Sequence, residues 1–117
     1  MLEEKGKELG RLIGQSSEYQ ALKRSSDALN DDREAVALLQ QMEKLRGEAQ
    51  ALIQAGENPT PEMEQQLDSM LEKIQAQSAY QRAVSAQENF DKLMLRVNQW
   101  IMDGMKKGAA SPIITLG

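Results

Sequence analysis

The 117-residue sequence contains neither cysteine nor histidine. Without cysteine it can form no disulfide, no thiolate nucleophile and no cysteine-ligated cluster. Without histidine it also lacks the commonest general base and the commonest zinc ligand. Catalysis would depend on carboxylates, hydroxyls and lysines, and no recognisable nucleophile motif occurs among them. We therefore expect a protein that is not an enzyme and that holds no metal or cofactor.

Long apolar runs and clustered basic residues are also missing. No run of 18 apolar residues exists, so we expect no membrane contact. The first ten residues, MLEEKGKELG, are charged where a signal peptide needs an apolar stretch, which favours a cytoplasmic location. The net charge is −4, and the basic residues are scattered along the chain. Because nucleic-acid binders usually carry a basic face, direct nucleic-acid binding is disfavoured.

Good helix formers at helical spacing dominate what remains. The spacing predicts helices over residues 2–15, 18–29, 32–55, 61–77 and 78–107, and leaves open whether the last two are one continuous helix. The break GENPTP, residues 56–61, makes the third and fourth helices an antiparallel hairpin. We predict an all-α fold, a bundle of four to five helices with a long antiparallel hairpin and a long C-terminal helix. Residues 1–108 form one domain, and residues 109–117 form a flexible C-terminal tail.

Helix starts are predicted from capping patterns. The tetrapeptide Ser-x-Tyr-Gln occurs twice, and its serine and glutamine have the spacing of a capping box. An acidic pair has the same spacing where the third helix begins. A threonine before Pro61 fits the N-cap of the fourth helix. The predicted cap residues are Ser17, Gln20, Asp31, Glu34, Thr60, Ser78 and Gln81.

The segment LMLRVNQWIMDGM, residues 93–105, is the most informative for function. Eight of its thirteen residues are apolar, and most of these cover an arc of about 140° on a helix. The segment is either the central helix of a monomeric bundle or also a subunit interface. We favour the interface, because methionines and a lone tryptophan suit adaptable contact surfaces. The predicted self-association or partner residues are Leu93, Val97, Trp100, Ile101 and Met105.

The order of features along the chain resembles a known family. A Ser-Glu-Tyr start is followed by two leucines and by the Asp32-x-Glu34 restart, and then by a long Leu/Met helix. After a Gly/Pro turn comes a second Ser-x-Tyr, followed by apolar positions at helical spacing. These features are carried by Leu22, Leu29, Ala83, Phe90, Leu93, Val97 and Ile101. Over roughly residues 5–105, the sequence resembles the YlbF/YmcA family of small bacterial helical proteins.

The resemblance implies a cytoplasmic, all-helical protein that forms dimers or higher assemblies. The best-known family members act without catalysis, in a multi-protein complex that influences ribonuclease Y and mRNA maturation. Through that complex they affect competence, sporulation and biofilm formation. Some of those members carry cysteines that help hold iron–sulfur clusters. This chain has no cysteine, so cluster binding through its own residues is not implied.

Two functional hypotheses follow. The first is a non-enzymatic adaptor or regulatory protein, a homodimer or higher homo-oligomer that presents a helical face to a protein partner. The alternative is an RNA-associated module that contacts nucleic acid through Lys23, Arg24 and Arg33. The sequence pI of about 4.9 argues against this alternative.

Overall fold

The computed structural model describes residues 1–110, which form five α-helices and no strand. The all-α prediction is confirmed, and the helix bounds agree with the predicted ones to within two residues. The C-terminal helix is the longest, with 32 residues. The helices are α1 (Leu2–Gly14), α2 (Ser17–Asp31), α3 (Arg33–Gln54), α4 (Pro61–Gln75) and α5 (Ser78–Ala109).

The five helices are arranged mainly as two antiparallel pairs. The rings of Tyr19 on α2 and Phe90 on α5 lie 5.7 Å apart. At the other end of α2, Ala28 lies beside Arg82 of α5, so the two helices run in opposite directions. After α3 a short connection reverses the direction of the chain, so that α4 runs antiparallel to α3, as the hairpin prediction requires.

The molecule is elongated. Its principal extents are 68 × 37 × 19 Å, and its radius of gyration is 21.7 Å, whereas a compact domain of this length has about 13 Å. The core is correspondingly thin. Few apolar side chains are buried, and they lie on α3, α4 and α5. They are Ala35, Met42, Leu45, Ala49, Ile74, Ala86 and Val97.

Gly56 follows the C-cap of α3 and begins the α3–α4 turn in the left-handed conformation, with a φ of +83°. Its N–H donates to the carbonyl of Ile53 at 3.1 Å, and the N–H of Glu57 donates to the carbonyl of Leu52 at 2.8 Å. These two bonds make a Schellman motif, which satisfies carbonyls at the end of α3. On the other side of the turn, the Thr60 hydroxyl accepts from the N–H of Met63 at 3.2 Å and caps α4.

Two predicted N-caps are wrong by one residue. The cap of α2 is Ser16, not Ser17, and its hydroxyl accepts from the N–H of Tyr19 at 3.1 Å. The cap of α3 is Asp32, not Asp31, and its carboxylate accepts from the N–H of Ala35 at 3.0 Å. In each case two adjacent residues have the same side chain. The second aspartate and the first serine are the ones with extended backbone, which a cap requires.

Ser78 does not cap α5 either. It is the first helical residue, and Gln77 is the N-cap without a side-chain hydrogen bond. The extended backbone of Gln77 separates α4 from α5, so the two helices are not continuous. The side-chain amide of Gln81 donates to the carbonyl of Gln75, the last residue of α4, at 2.6 Å. A side-chain hydrogen bond, rather than a proline or a glycine, therefore stabilises the connection between α4 and α5.

The α1–α2 connection uses the same arrangement. The side-chain amide of Gln20 donates to the carbonyl of Gly14, the last residue of α1, at 2.9 Å. Both glutamines therefore bond six residues back, and not to the N-cap amide as the capping-box prediction required. The predicted partner of Asp31, Glu34, lies in the first turn of α3. The repeated Ser-x-Tyr-Gln thus marks two helix–helix connections.

The predicted tail falls mostly on residues that the structure does not describe. Ala109 is the last residue of α5, and Ala110 is its C-cap. Residues 111–117 lie outside the described part of the chain.

Candidate functional site: an exposed apolar surface on α5

The C-terminal part of α5 extends beyond the packed part of the molecule. Val97 is buried, with 3% exposure, whereas residues 98–110 are all exposed. The beginning of α2 lies near Arg96, since Ser17, Glu18 and Arg96 line one hollow. Residues 98–109 therefore continue for about 18 Å past the place where α2 begins.

This projecting segment carries large apolar side chains in solvent. Trp100 is 60% exposed, Met102 57% and Met105 67%, and Ile101 is 43% exposed. These four residues, called here the α5 apolar surface, lie within less than two turns of one helix. Basic residues follow them in the last turn, at Lys106 and Lys107. Clustered apolar side chains in solvent are typical of a contact surface.

The structure divides the residues predicted for the interface. Trp100, Ile101 and Met105 lie on the α5 apolar surface. Val97 lies in the core instead, and Leu93 is only partly exposed. The reason is that α2 covers one side of α5 as far as Val97. Helical spacing alone does not distinguish a position that another helix covers from one that is exposed to solvent. Sequence reasoning missed Met102, which lay outside the main apolar arc.

Helix α1 adds a second exposed apolar face. Leu2 is 87% exposed and Leu12 is 53% exposed, while Leu9 and Ile13 are partly covered. No residue of α1 is buried. Its two ion pairs, Lys7–Glu3 at 2.9 Å and Lys5–Glu8 at 3.8 Å, lie within the helix and are exposed. The helix therefore gains little from packing within the chain.

The carboxylate of Glu18 lies in the first turn of α2, where its pKa is lowered. Its own backbone N–H and the Ser17 hydroxyl, at 2.9 Å, donate hydrogen bonds that lower the pKa of this carboxyl from its ordinary value of 4.5. The positive charge of Arg96 on α5 adds to this lowering. Charges from α2 and α5 thus act on each other across the helix pair.

Within residues 1–110, no three histidine, cysteine or carboxylate side chains come together as a metal site would need. In the same part of the chain, no helix is both long and apolar enough to cross a membrane.

Comparisons of the sequence with known proteins identify its family. A family model described as "Control of competence regulator ComK, YlbF/YmcA" matches residues 2–106. A UPF0342 protein of Streptococcus gordonii is 39% identical over 69 residues, which are 59% of this chain and 62% of that protein. A UPF0342 protein of Streptococcus mutans is 35% identical over 81 residues, 69% of this chain and 72% of that protein.

A UPF0342 protein of Streptococcus sanguinis is 29% identical over 96 residues, covering 82% of this chain and 86% of that protein. The Streptococcus gordonii match spans less than two thirds of its relative, but the family model covers nearly all of the sequence. The chain belongs to the YlbF/YmcA family, a family of regulatory proteins.

Proposed function

We propose that this protein is a non-enzymatic, oligomeric helical adaptor that regulates through contacts with proteins in the cytoplasm. Copies associate through the α5 apolar surface, and the assembly presents helical faces to a protein partner. The observation that supports this proposal is the projecting end of α5, where Trp100, Met102 and Met105 are each more than half exposed.

The surface area of the chain supports association. Its accessible surface is 9254 Å², whereas a compact monomer of 13.1 kDa exposes about 6,400 Å². Stable protein interfaces bury about 1,200–2,000 Å² in total. The chain thus exposes more surface than a compact monomer would, and that surface includes large apolar side chains whose burial is favourable.

The family supports a regulatory role and suggests the process. The matching family is described by its control of the competence regulator ComK. The best-known members of the family join a complex that influences ribonuclease Y and mRNA maturation. We propose the same kind of action here: the partner's location or specificity changes when it is bound. Because the chain has no cysteine, such an action would not use a cluster held by its own residues.

Sedimentation of alanine variants tests the interface. In about 0.5 M NaCl, which screens charge contacts, we expect the wild-type chain to be a dimer or larger at tens of micromolar, and Trp100→Ala combined with Met105→Ala to shift it toward monomer. Ile53→Ala is the matched control, because Ile53 is 61% exposed on α3, away from the α5 apolar surface. Val97→Asp is unsuitable, since it would place a charge in the core.

Pull-down from the native host then tests the adaptor role. Proteins that co-purify with the wild-type chain and with Ile53→Ala, but not with the Trp100/Met105 variant, would be partners that need the assembled form. A wild-type chain that remains monomeric at tens of micromolar would contradict the proposal.

A further inference from the structure

Four basic side chains that are scattered in the sequence lie along one face of the α2–α5 pair. Arg24 of α2 lines two adjoining hollows, one with Arg82 and one with Lys92 and Arg96. On α5 these three positions fall within one stripe, because they are separated by ten and four residues. We call the face formed by Arg24, Arg82, Lys92 and Arg96 the basic groove.

Small side chains form the bottom of the basic groove. Ala21 lines both hollows, and Ser25, Ala28 and Ala86 line one of them. Such residues let another helix approach the α2–α5 pair closely. Within the described part of the chain, one acidic side chain, Glu18, lines the groove. Among residues 1–110, the ion pairs are Lys5–Glu8 and Lys7–Glu3, so the four cations of the groove make none there.

The same chain carries a complementary acidic stripe on α4. Glu64, Asp68 and Glu72 follow each other at intervals of four residues and are all exposed, so they form one stripe about 12 Å long. The hollow between α3 and α4 is lined by other residues of α4, including Gln66, Ser69 and Lys73. The acidic stripe is therefore not directed at α3.

The charges of the molecule are accordingly divided between its two helix pairs. Residues 32–75, which contain α3 and α4, have nine acidic and four basic side chains, a net charge of −5. The rest of the chain has nine acidic and ten basic side chains, a net charge of +1. Two copies therefore attract each other most when the α2–α5 pair of each lies beside the α3–α4 pair of the other.

We propose that the basic groove of one copy binds the acidic stripe of a second copy. A two-fold axis allows this contact twice in one pair, since each copy offers both a groove and a stripe. The chain's own charge favours this occupant over a polyanion such as RNA, because the chain supplies an acidic stripe itself and its net charge of −4 repels a polyanion. The contact deepens the proposed oligomeric function, yet it is separate from the α5 apolar surface. One chain therefore has two self-association surfaces of different chemistry.

Ionic strength distinguishes association through the basic groove from association through the α5 apolar surface. Charge contacts at an accessible groove weaken with ionic strength, because the Debye length falls from more than 10 Å in dilute salt to about 3 Å at 1 M. We expect sedimentation at about 0.05 M NaCl to detect a larger species than at about 0.5 M, where the α5 apolar surface alone holds copies together. The Trp100/Met105 variant should keep the salt-sensitive association, so the two proposals fail independently.

Charge reversal tests the residues. Arg24→Glu with Arg96→Glu should weaken the low-salt association about tenfold or more. Asp68→Lys with Glu72→Lys should do the same, and the chain with all four changes should associate again because its charges are exchanged. Arg33→Glu with Arg46→Glu is the control, since it makes the same charge change at exposed positions of α3. Circular dichroism of each variant checks that it remains helical.

Three results would overturn the proposal. The first is a groove variant that associates like the control. The second is loss of association that the four-change chain does not restore, which would place the occupant of the groove elsewhere. The third is a labelled single-stranded RNA that binds the wild-type chain at physiological salt, loses binding in the groove variant, and leaves self-association unchanged. That result would assign the groove to nucleic acid.

Discussion

Ile74→Ala tests the packing of the α3–α4 pair. Among residues 1–110, Ile74 is the largest fully buried side chain, with 2% exposure. Truncating a buried isoleucine to alanine costs about 2–5 kcal/mol, and the cost is smaller where the surroundings can relax. Core residues on the facing helix, Met42 and Leu45, each retain 9% exposure, so the region lies close to solvent. We therefore expect a loss of about 2–3 kcal/mol in the free energy of unfolding.

Leu71→Ala is the matched control, because Leu71 lies one turn earlier on α4 and is 37% exposed. It should cost less, about 1–2 kcal/mol, since this side chain is only partly buried and its truncation opens no enclosed cavity. Urea unfolding followed by circular dichroism measures both changes, at one chain concentration because association contributes to apparent stability. If Leu71→Ala costs as much as Ile74→Ala, the face that α4 turns toward α3 is not the one described, and the reasoning is refuted.

Three further predictions concern helix ends. Ser16→Ala should lower the stability of the protein by about 1 kcal/mol while Ser17→Ala changes it by only a few tenths, which thermal and urea unfolding can distinguish. Gly56→Ala should cost about 1–2 kcal/mol from its positive φ alone, since a Cβ there meets nothing within 4 Å, and Gly56→Asn should cost less in the same assay. Glu18 has a lowered pKa, which favours its ionised form. It therefore contributes stability above pH 4.5 that is lost as the pH falls through this lowered pKa. Urea unfolding across this pH range should show a smaller loss of stability for Glu18→Gln than for the wild-type chain, and equal losses would contradict the described hydrogen bonds.

Helix positions could be predicted from the sequence because the apolar residues of α3 and α4 recur every three or four positions. The turn at Gly56 was also predictable, since glycine and proline act on their own backbone. The cap positions were not determined, because Ser16 and Ser17 offer the same hydroxyl and only the backbone conformation selects one of them. Local chemistry therefore gives the elements but not always their first residue.

The surfaces required the tertiary arrangement. Val97 and Trp100 are both apolar and lie at helical spacing on α5. Helix α2 covers the region of Val97 but does not extend as far as Trp100. The basic groove could not be predicted from the sequence for a related reason. Arg24 is separated from Arg82 by 58 positions in the sequence, and only the pairing of α2 with α5 brings them to one face.

The nesting of the two helix pairs also has a consequence for the order of folding. Tyr19 and Phe90 lie 71 positions apart (90 − 19), so pairing α2 with α5 first would close a long loop. The α3–α4 hairpin lies inside that loop and pairs segments joined by a short turn. Forming it first shortens the remaining loop, and each halving saves about 0.6 kcal/mol of closure entropy. We expect the hairpin to form early, so that Ile74→Ala slows refolding while Phe90→Ala mainly speeds unfolding; the reverse pattern in stopped-flow experiments would rule out this order.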